Sequence, residues 1–297
     1  MTPAMGDTPR LIDAVSAGGN LVVKDRMDIF IGFDSAWADN ARAPGAICAV
    51  GLEGGVPAVF HRPRLVSFSQ ALAFIEEVRS PSGVSLVALD QPTLVPNATS
   101  MRPVERAAAS LISWMGGGAQ PANRGRTGMF CKAAPVWRFL TSLGAEEDPE
   151  RARDADDGLF IMEVFPALAL ASLGPGFFGR LAGPRYNPGR AKTFRAADWV
   201  KVAETAAAEA SAFGCVELAG WCREAGALAK PRKADQDMLD AALCTLIALR
   251  WRLRARQDSL LLGDLTSGYM VLPASQTVRE RLTVAAMKCS VPVDGVR

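Results

Sequence analysis

The sequence is poor in the residues that build histidine- or thiol-based metal sites. One histidine, His61, occurs among 297 residues, and the six cysteines contain no C-x-x-C pair. Histidine-rich zinc sites are therefore excluded, and a His-based triad would depend on His61, whose surroundings at 59–63 indicate a strand surface. The spacing of the cysteines is typical of reduced, scattered thiols. A metal site in this chain would need carboxylate ligands, which favour magnesium or manganese.

Other absences narrow the class of protein further. Every apolar run is interrupted before the ~18 residues of a membrane span, and no secretory signal pattern occurs. Lys and Arg number 33 against 31 Asp and Glu, so any charge effect must be local. The sequence G-x-x-x-x-G-K-[ST] is missing, which excludes a P-loop. We therefore expect a cytoplasmic protein that does not enter a membrane.

The composition is that of a globular protein, with 49% hydrophobic and 22% charged residues. Residues 1–26 show no sustained period, which predicts a flexible N-terminal leader. The remainder, 27–297, is predicted to form a single domain of the α/β class.

The first half of that domain predicts a β-meander followed by a βαβ unit. Apolar runs at 28–34, 45–52 and 56–62 predict three strands, and Ser67 with Gln70 predicts a capped helix that ends near Arg79. A further buried strand is predicted over 84–90. Two strands, each ending in an aspartate, would then lie side by side and bring Asp34 next to Asp90.

The stretch from about 93 to 157 differs in kind and is predicted to be an insertion. It is rich in Pro and Gly, and residues 102–138 hold six basic residues and one acid, whereas 145–157 hold seven acids. We interpret the acidic run as a solvated surface loop. Arg124 and Arg126, flanked by Gly125 and Gly128, are predicted to approach a phosphate group. Trp114 and Trp137 fit base stacking, although core packing is the commoner role.

The second half predicts one more buried strand and mostly helix. The strand lies within 159–166, carries Glu163 and ends at Pro166. An Ala-rich helical region follows over about 196–229, then a long helix over 235–256 and an edge strand over 268–273.

The long helix carries Asp237 and Asp240, which are three residues apart and so lie on the same face. A purely structural role would account for two acids of this helix. Asp235 would be the N-cap, and Asp237 would lie near the positive end of the helix dipole. Asp240 lies a turn deeper in an apolar helix, where an unpaired carboxylate is costly.

Five acids at strand ends or on this helix are therefore predicted to form one cluster: Asp34, Asp90, Glu163, Asp237 and Asp240. Clustered carboxylates repel one another, and divalent cations relieve that repulsion. Two such ions about 4 Å apart can clamp a phosphodiester, one activating water and the other stabilising the departing oxygen. The cluster therefore predicts phosphodiester hydrolysis with Mg²⁺ or Mn²⁺.

The same residues resemble a known family over most of 28–273. The ordered motifs Ile-Gly-Phe-Asp34, Asp90-Gln-Pro, Glu163-Val-Phe-Pro-Ala and Asp237-Met-Leu-Asp240-Ala are similar to those of domain-of-unknown-function family 429, whose members are predicted to be ribonuclease H-like nucleases. Phe165 stands where tyrosine is common in that family. The resemblance implies a ribonuclease H-like mixed central sheet flanked by helices, with the insertion near 93–157.

The resemblance also implies roles for the acids. Asp34 and Asp90 look like the acids of the first and fourth strands, and Asp237 or Asp240 like the acid of the last helix. Glu163 is a fourth acid or a supporting one. Lys132 or Lys233 is a candidate to stabilise charge in the transition state.

Three functions remain open from the sequence. The first is a divalent-metal-dependent nuclease acting on DNA or RNA. The second is a non-catalytic module that keeps the ribonuclease H-like core and binds nucleic acid or protein. The third is phosphoryl transfer from ATP as in sugar kinases and actin-like ATPases, but Ser35-Ala-Trp37 after the first strand lacks the glycine-rich phosphate loop of those proteins.

Overall fold

The computed structural model describes residues 26–39, 42 and 44–296. The predicted leader, 1–26, lies outside the described residues apart from Arg26. The strands are β1 (Met27–Asp34), β2 (Gly45–Glu53), β3 (Val56–Val66), β4 (Val84–Leu89), β5 (Gly158–Glu163), β6 (Ser259–Asp264) and β7 (Gly268–Pro273). The helices are α1 (Phe68–Val78), α2 (Pro103–Trp114), α3 (Pro135–Leu143), α4 (Pro149–Asp154), α5 (Pro166–Leu173), α6 (Ala196–Ala212), α7 (Val216–Gly226), α8 (Lys233–Leu253) and α9 (Gln276–Cys289).

Five strands form a mixed central sheet in the order β3-β2-β1-β4-β5. β2 runs antiparallel to β1 and β3, and β4 lies parallel to β1 and to β5. The predicted meander and βαβ unit are thereby confirmed, and the Ser67–Gln70 capping box starts α1 as expected. β3 continues to Val66, four residues beyond its predicted end.

Helices cover both faces of this sheet, as the side-chain alternation of the strands requires. Ile29, Ile31 and Phe33 of β1 point to the face covered by α1 and α3. Phe30, together with Leu86 and Ala88 of β4, points to the face covered by α6, α7 and α8. Because alternation continues to the strand ends, Gly32, Asp34 and Asp90 also face α8.

The long helix α8 lies unusually close to β1 at Gly32. A Cβ atom at this position would lie 2.0 Å from the carbonyl oxygen of Ala241 and 2.4 Å from the amide nitrogen of Thr245. Glycine is therefore required here for close helix–strand packing. This contact determines how close the acidic first turns of α8 lie to the end of β1.

The region near 93–157 is more ordered than the sequence predicts. It contains α2, α3 and α4, and the acidic run interpreted as a surface loop includes α4, whose N-cap Asp148 accepts a hydrogen bond from the Arg151 amide. The run was misread because a helix of six residues is too short for a hydrophobic period to be visible.

The chain after α8 forms a second layer beside the central sheet. β7, predicted as an edge strand, pairs with β6 in a separate two-stranded sheet. α2, α5 and α9 pack with these strands around a second apolar core. β6, α5 and α9 were not predicted. Within the described residues, no helix is long and apolar enough to cross a membrane.

Candidate functional site

The ends of β1 and β4 bring two aspartates together. β1 and β4 are parallel, with Phe33 opposite Leu89, and the Asp90 amide donates to the Phe33 carbonyl at 2.9 Å. Asp34 and Asp90 therefore follow paired positions on adjacent strands, which lie about 4.8 Å apart. Asp34 is buried, whereas Asp90 is partly exposed and lines a pocket.

The first turns of α8 add three charged groups to these aspartates. Asp240 is buried, Asp237 is half-buried, and Lys233 forms an ion pair with Asp237 four residues along the helix. The charges of Asp237, Asp240 and Lys233 all act on the carboxyl group of Asp34. The packing therefore places these three groups close enough to Asp34 for their charges to act on its carboxyl group.

Asp240 is held by two neighbouring side chains. The Tyr186 hydroxyl donates to Oδ1 at 2.7 Å, and the Gln236 side-chain amide donates to Oδ2. Burial raises the pKa of Asp240 to about 6, although both hydrogen bonds and Lys233 act in the opposite direction. Asp240 is therefore largely ionised at pH 7 and fixed in orientation.

Asp34 and Asp90 differ from Asp240 in having no such support. Among the described residues, no hydrogen bond reaches either carboxylate. Burial raises the pKa of Asp34 well above its ordinary value, and Asp90, Asp240 and Asp237 add to this effect. Burial, Asp240 and Glu163 raise the pKa of Asp90 in the same way, against the attraction of Lys233. A cation or protons would therefore offset the burial and mutual repulsion of these two carboxylates.

The donor set fits a hard divalent cation. In the described part of the chain, no three His, Cys, Asp or Glu side chains are grouped so that they could hold a metal ion by themselves. Mg²⁺ differs from zinc in this respect, because it commonly takes one or two carboxylates and completes its shell with water and substrate phosphate. Asp34 and Asp90 supply such a pair, and Asp240 supplies a third carboxylate nearby.

Glu163 lies beside this cluster but is already paired. Alternation along β5 points Glu163 in the direction of Ile161, away from α8. The Arg102 guanidinium donates to both carboxylate oxygens at 2.8 and 2.6 Å, and the Thr93 amide donates at 3.1 Å. Glu163 thus holds α2 against β5 and is not among the carboxylates left without a partner.

The two arginines predicted to bind phosphate make contacts within their own loop. Nε of Arg124 donates to the Val95 carbonyl at 2.7 Å, and its guanidinium group lies 4.3 Å from the ring centroid of Trp137. Arg126 donates to the Pro121 carbonyl at 3.1 Å. Both guanidinium groups thus make contacts within the insertion, and their predicted contact with phosphate stays a prediction. Lys132 is exposed, whereas Lys233, the other candidate cation, belongs to the cluster.

Sequence reasoning missed the side chains that surround Asp240. Tyr186 and Gln236 line a pocket of about 400 Å³ together with Asp90 and Asp240. Gln236 could have been found, because it precedes Asp240 by four residues on one helix and so shares its face. Tyr186 lies far away in the chain, within a stretch rich in Gly, Pro and Arg, and only the fold brings it near Asp240.

His61 lies on β3 and is half-buried. Its ring packs edge-on against Phe74 of α1, with 5.5 Å between centroids. It pairs in register with Ala49, away from the strand ends that carry the acids. The interpretation of His61 as a strand-surface residue is confirmed.

Comparison with known proteins gives one result. The model of a family described as "Protein of unknown function (DUF429)" matches residues 32–262, a range that begins in β1 and ends in β6. The matched range includes all five predicted acids. No curated protein and no solved structure matches the chain.

Proposed function

We propose that this chain, which belongs to the DUF429 family of proteins of unknown function, is a divalent-metal-dependent phosphodiesterase that acts on nucleic acid. The observation that carries the proposal is the pair Asp34 and Asp90, two adjacent carboxylates without a hydrogen-bonding partner among the described residues. Asp240 and Asp237 extend the cluster from α8. A cluster of this kind is typical of sites where cations and a phosphate group meet.

The fold of the core supports a ribonuclease H-like assignment. The order β3-β2-β1-β4-β5, with β2 antiparallel to its neighbours, agrees with the mixed sheet that the family resemblance implies. The positions of the acids agree with this assignment as well. They lie at the ends of the first and fourth strands and on a helix that packs across these strands. This support is an analogy at the level of the fold, and the chemistry is argued from the site.

The residues of the site have distinct tasks in this proposal. Mg²⁺ or Mn²⁺ would be held by the pair Asp34 and Asp90, with water and the substrate phosphate completing its shell and the charges of Asp240 and Asp237 nearby, and would activate water and neutralise the phosphate. Tyr186 and Gln236 orient Asp240. Lys233, which is paired with Asp237, would supply positive charge to stabilise the negative charge that the phosphate gains in the transition state.

The first test is calorimetric titration of Mn²⁺ into the protein and into an Asp34→Asn/Asp90→Asn variant. We expect the native protein to bind Mn²⁺ and the variant to lose binding and all metal-dependent hydrolysis of DNA, RNA and hybrid oligonucleotides. The variant should stay folded, because removing two neighbouring carboxylates relieves the repulsion between them. Circular dichroism and thermal unfolding would check that it is folded.

The matched control is Asp157→Asn, which changes an exposed aspartate in the acidic run and should leave both properties unchanged. Hydrolysis that survives in the double variant would place the metal site elsewhere. Nucleic-acid binding without any dependence on metal would instead favour a non-catalytic binding module.

A further inference from the structure

The pocket that includes the carboxylates of Asp90 and Asp240 also has two basic side chains in its lining. These are Arg185 and Arg190. Within the described residues, neither guanidinium group forms a hydrogen bond or an ion pair with another side chain. Two unpaired cations and two acids that share one pocket suit a ligand that carries a phosphate and approaches a metal-binding site.

The backbone around Arg185 holds its side chain at this place. The Arg185 amide donates to Asp198 Oδ2 at 2.8 Å, and its carbonyl accepts from the Arg195 amide at 2.8 Å. The preceding Gly183 donates to the Met115 carbonyl at the end of α2 at 2.9 Å. The main chain is thus tied on both sides while the guanidinium group remains free for a ligand.

The residue after Arg185 connects this part of the pocket lining to the acids. Tyr186, which follows Arg185 directly, donates its hydroxyl to Asp240 at 2.7 Å. Gln236, buried beneath the pocket, uses its amide nitrogen on Asp240 and leaves Oε1 without a hydrogen-bond donor. A buried acceptor without a donor is unfavourable, so a polar ligand or a water molecule is expected here.

The pocket also has apolar lining residues. They include Ile112 of α2, Met115 directly after α2 and Phe165 before α5, and the turn Gly116–Gly118 lines it as well. A volume of about 400 Å³ is at the lower end of pockets that hold small organic ligands, about 300 to 1,000 Å³. An aromatic ring, aliphatic side chains and arginines in the lining of one pocket suit a single unstacked base and its phosphate.

We infer that this pocket binds one unpaired nucleotide, so that the preferred substrate is a single-stranded nucleic acid and not a duplex. The inference rests on the proposed function for its chemistry but on the pocket for its selectivity. A base within a duplex would have to leave the stack before entering a pocket of this size, which costs unpairing and unstacking energy. Single strands do not incur that cost.

The binding test uses adenosine 5′-monophosphate and inorganic phosphate as probes, titrated into the full-length protein with and without Mn²⁺. We expect the nucleotide to bind at least tenfold more tightly than phosphate, and Arg185→Gln and Arg190→Gln each to weaken it several-fold. Arg180→Gln, an exposed arginine outside the pocket lining, is the matched control and should bind as the native protein does. Equal affinity for phosphate and nucleotide would overturn the inference.

The hydrolysis test compares one labelled oligonucleotide as a single strand and as a blunt duplex, both with Mn²⁺. We expect the single strand to be cleaved at least tenfold faster, with that ratio reduced in Arg185→Gln. Equal cleavage of the two forms would contradict the pocket inference and leave the nuclease proposal standing. Tight nucleotide binding without cleavage of any substrate would support the pocket and contradict the nuclease proposal.

Discussion

At the scale of single residues, the ionisation of Asp240 depends on its two hydrogen-bond donors. Tyr186 and Gln236 lower the pKa of a buried carboxylate that Asp237 and burial raise. The net pKa of about 6 means that Asp240 is protonated in mild acid and ionised at pH 8. If a cation binds beside Asp240, its binding must release a proton from this carboxyl group in acid and strengthen as the pH rises.

We expect Tyr186→Phe to shift this dependence towards higher pH. Loss of the hydroxyl removes a hydrogen bond to the ionised form, worth about 1.5 to 3 kcal/mol, so the pKa of Asp240 rises. Mn²⁺ binding should be about tenfold weaker at pH 6 and closer to that of the native protein at pH 8. Calorimetry at the two pH values measures the difference.

Tyr269→Phe is the matched control, since it removes the hydroxyl of the other tyrosine of the chain. That hydroxyl is buried and accepts from the Glu163 amide at 3.1 Å, so the variant tests loss of a buried hydroxyl away from Asp240. An equal, pH-independent loss in both variants would show that Tyr186 acts through general stability and not through Asp240.

At the scale of elements, the site depends on how closely α8 approaches β1. Asp237 and Asp240 come from the helix and Asp34 from the strand, and the two elements meet where Gly32 has no side chain. Protein interiors are close-packed, so a methyl group at this contact must displace the helix. The geometry of the cluster therefore depends on Gly32, which has no functional side chain.

Gly32→Ala should destabilise the fold by about 3 kcal/mol, as expected for overpacking in a core. Any variant protein that remains folded should bind Mn²⁺ more weakly, because α8 is pushed away from Asp34. Urea unfolding and Mn²⁺ titration measure the two effects.

Gly220→Ala is the control: it makes the same chemical change, but we expect it to raise the stability of the fold and not to lower it. This glycine lies in α7 with open space around its missing Cβ, so alanine should stabilise the helix by up to about 1 kcal/mol. If Gly32→Ala behaved like Gly220→Ala, the close approach of α8 would not be what positions the acids.

At the scale of the whole molecule, a buried ion-pair network joins the insertion to the central sheet. Arg102 is fully buried and pairs with Glu163 of β5 and with Glu105 of α2. Glu105 also accepts from the Ala122 amide at 3.0 Å, which ties down the loop that follows. Removing the single cation would leave two buried carboxylates without compensation.

We expect Arg102→Met to destabilise the protein by about 3 to 5 kcal/mol, measured by denaturant unfolding. Arg106→Met, on the exposed face of the same helix, should change stability by less than about 0.5 kcal/mol. A small effect of Arg102→Met would mean that the insertion is held by apolar packing and not by this network.

What could be predicted from the sequence follows from local physics. Alternation and turn chemistry determined the meander, the βαβ unit and the placement of Asp34 and Asp90 at adjacent strand ends. Helical spacing placed Asp237 and Asp240 on one face. The short helix α4 was not predicted, and neither was β6, which pairs with β7 outside the central sheet, because too few residues carry their pattern.

Tertiary structure alone decided which charged groups are available. Arg124 and Arg126 resemble phosphate ligands in sequence but donate to carbonyls of their own loop, and Glu163 resembles a fourth acid but pairs with Arg102. Arg185 and Tyr186 have no distinctive pattern, yet backbone contacts place them beside the acids. A sequence determines which groups exist and how neighbours along the chain are oriented. Whether a group is free or already paired depends on contacts between distant segments, which only the folded chain defines.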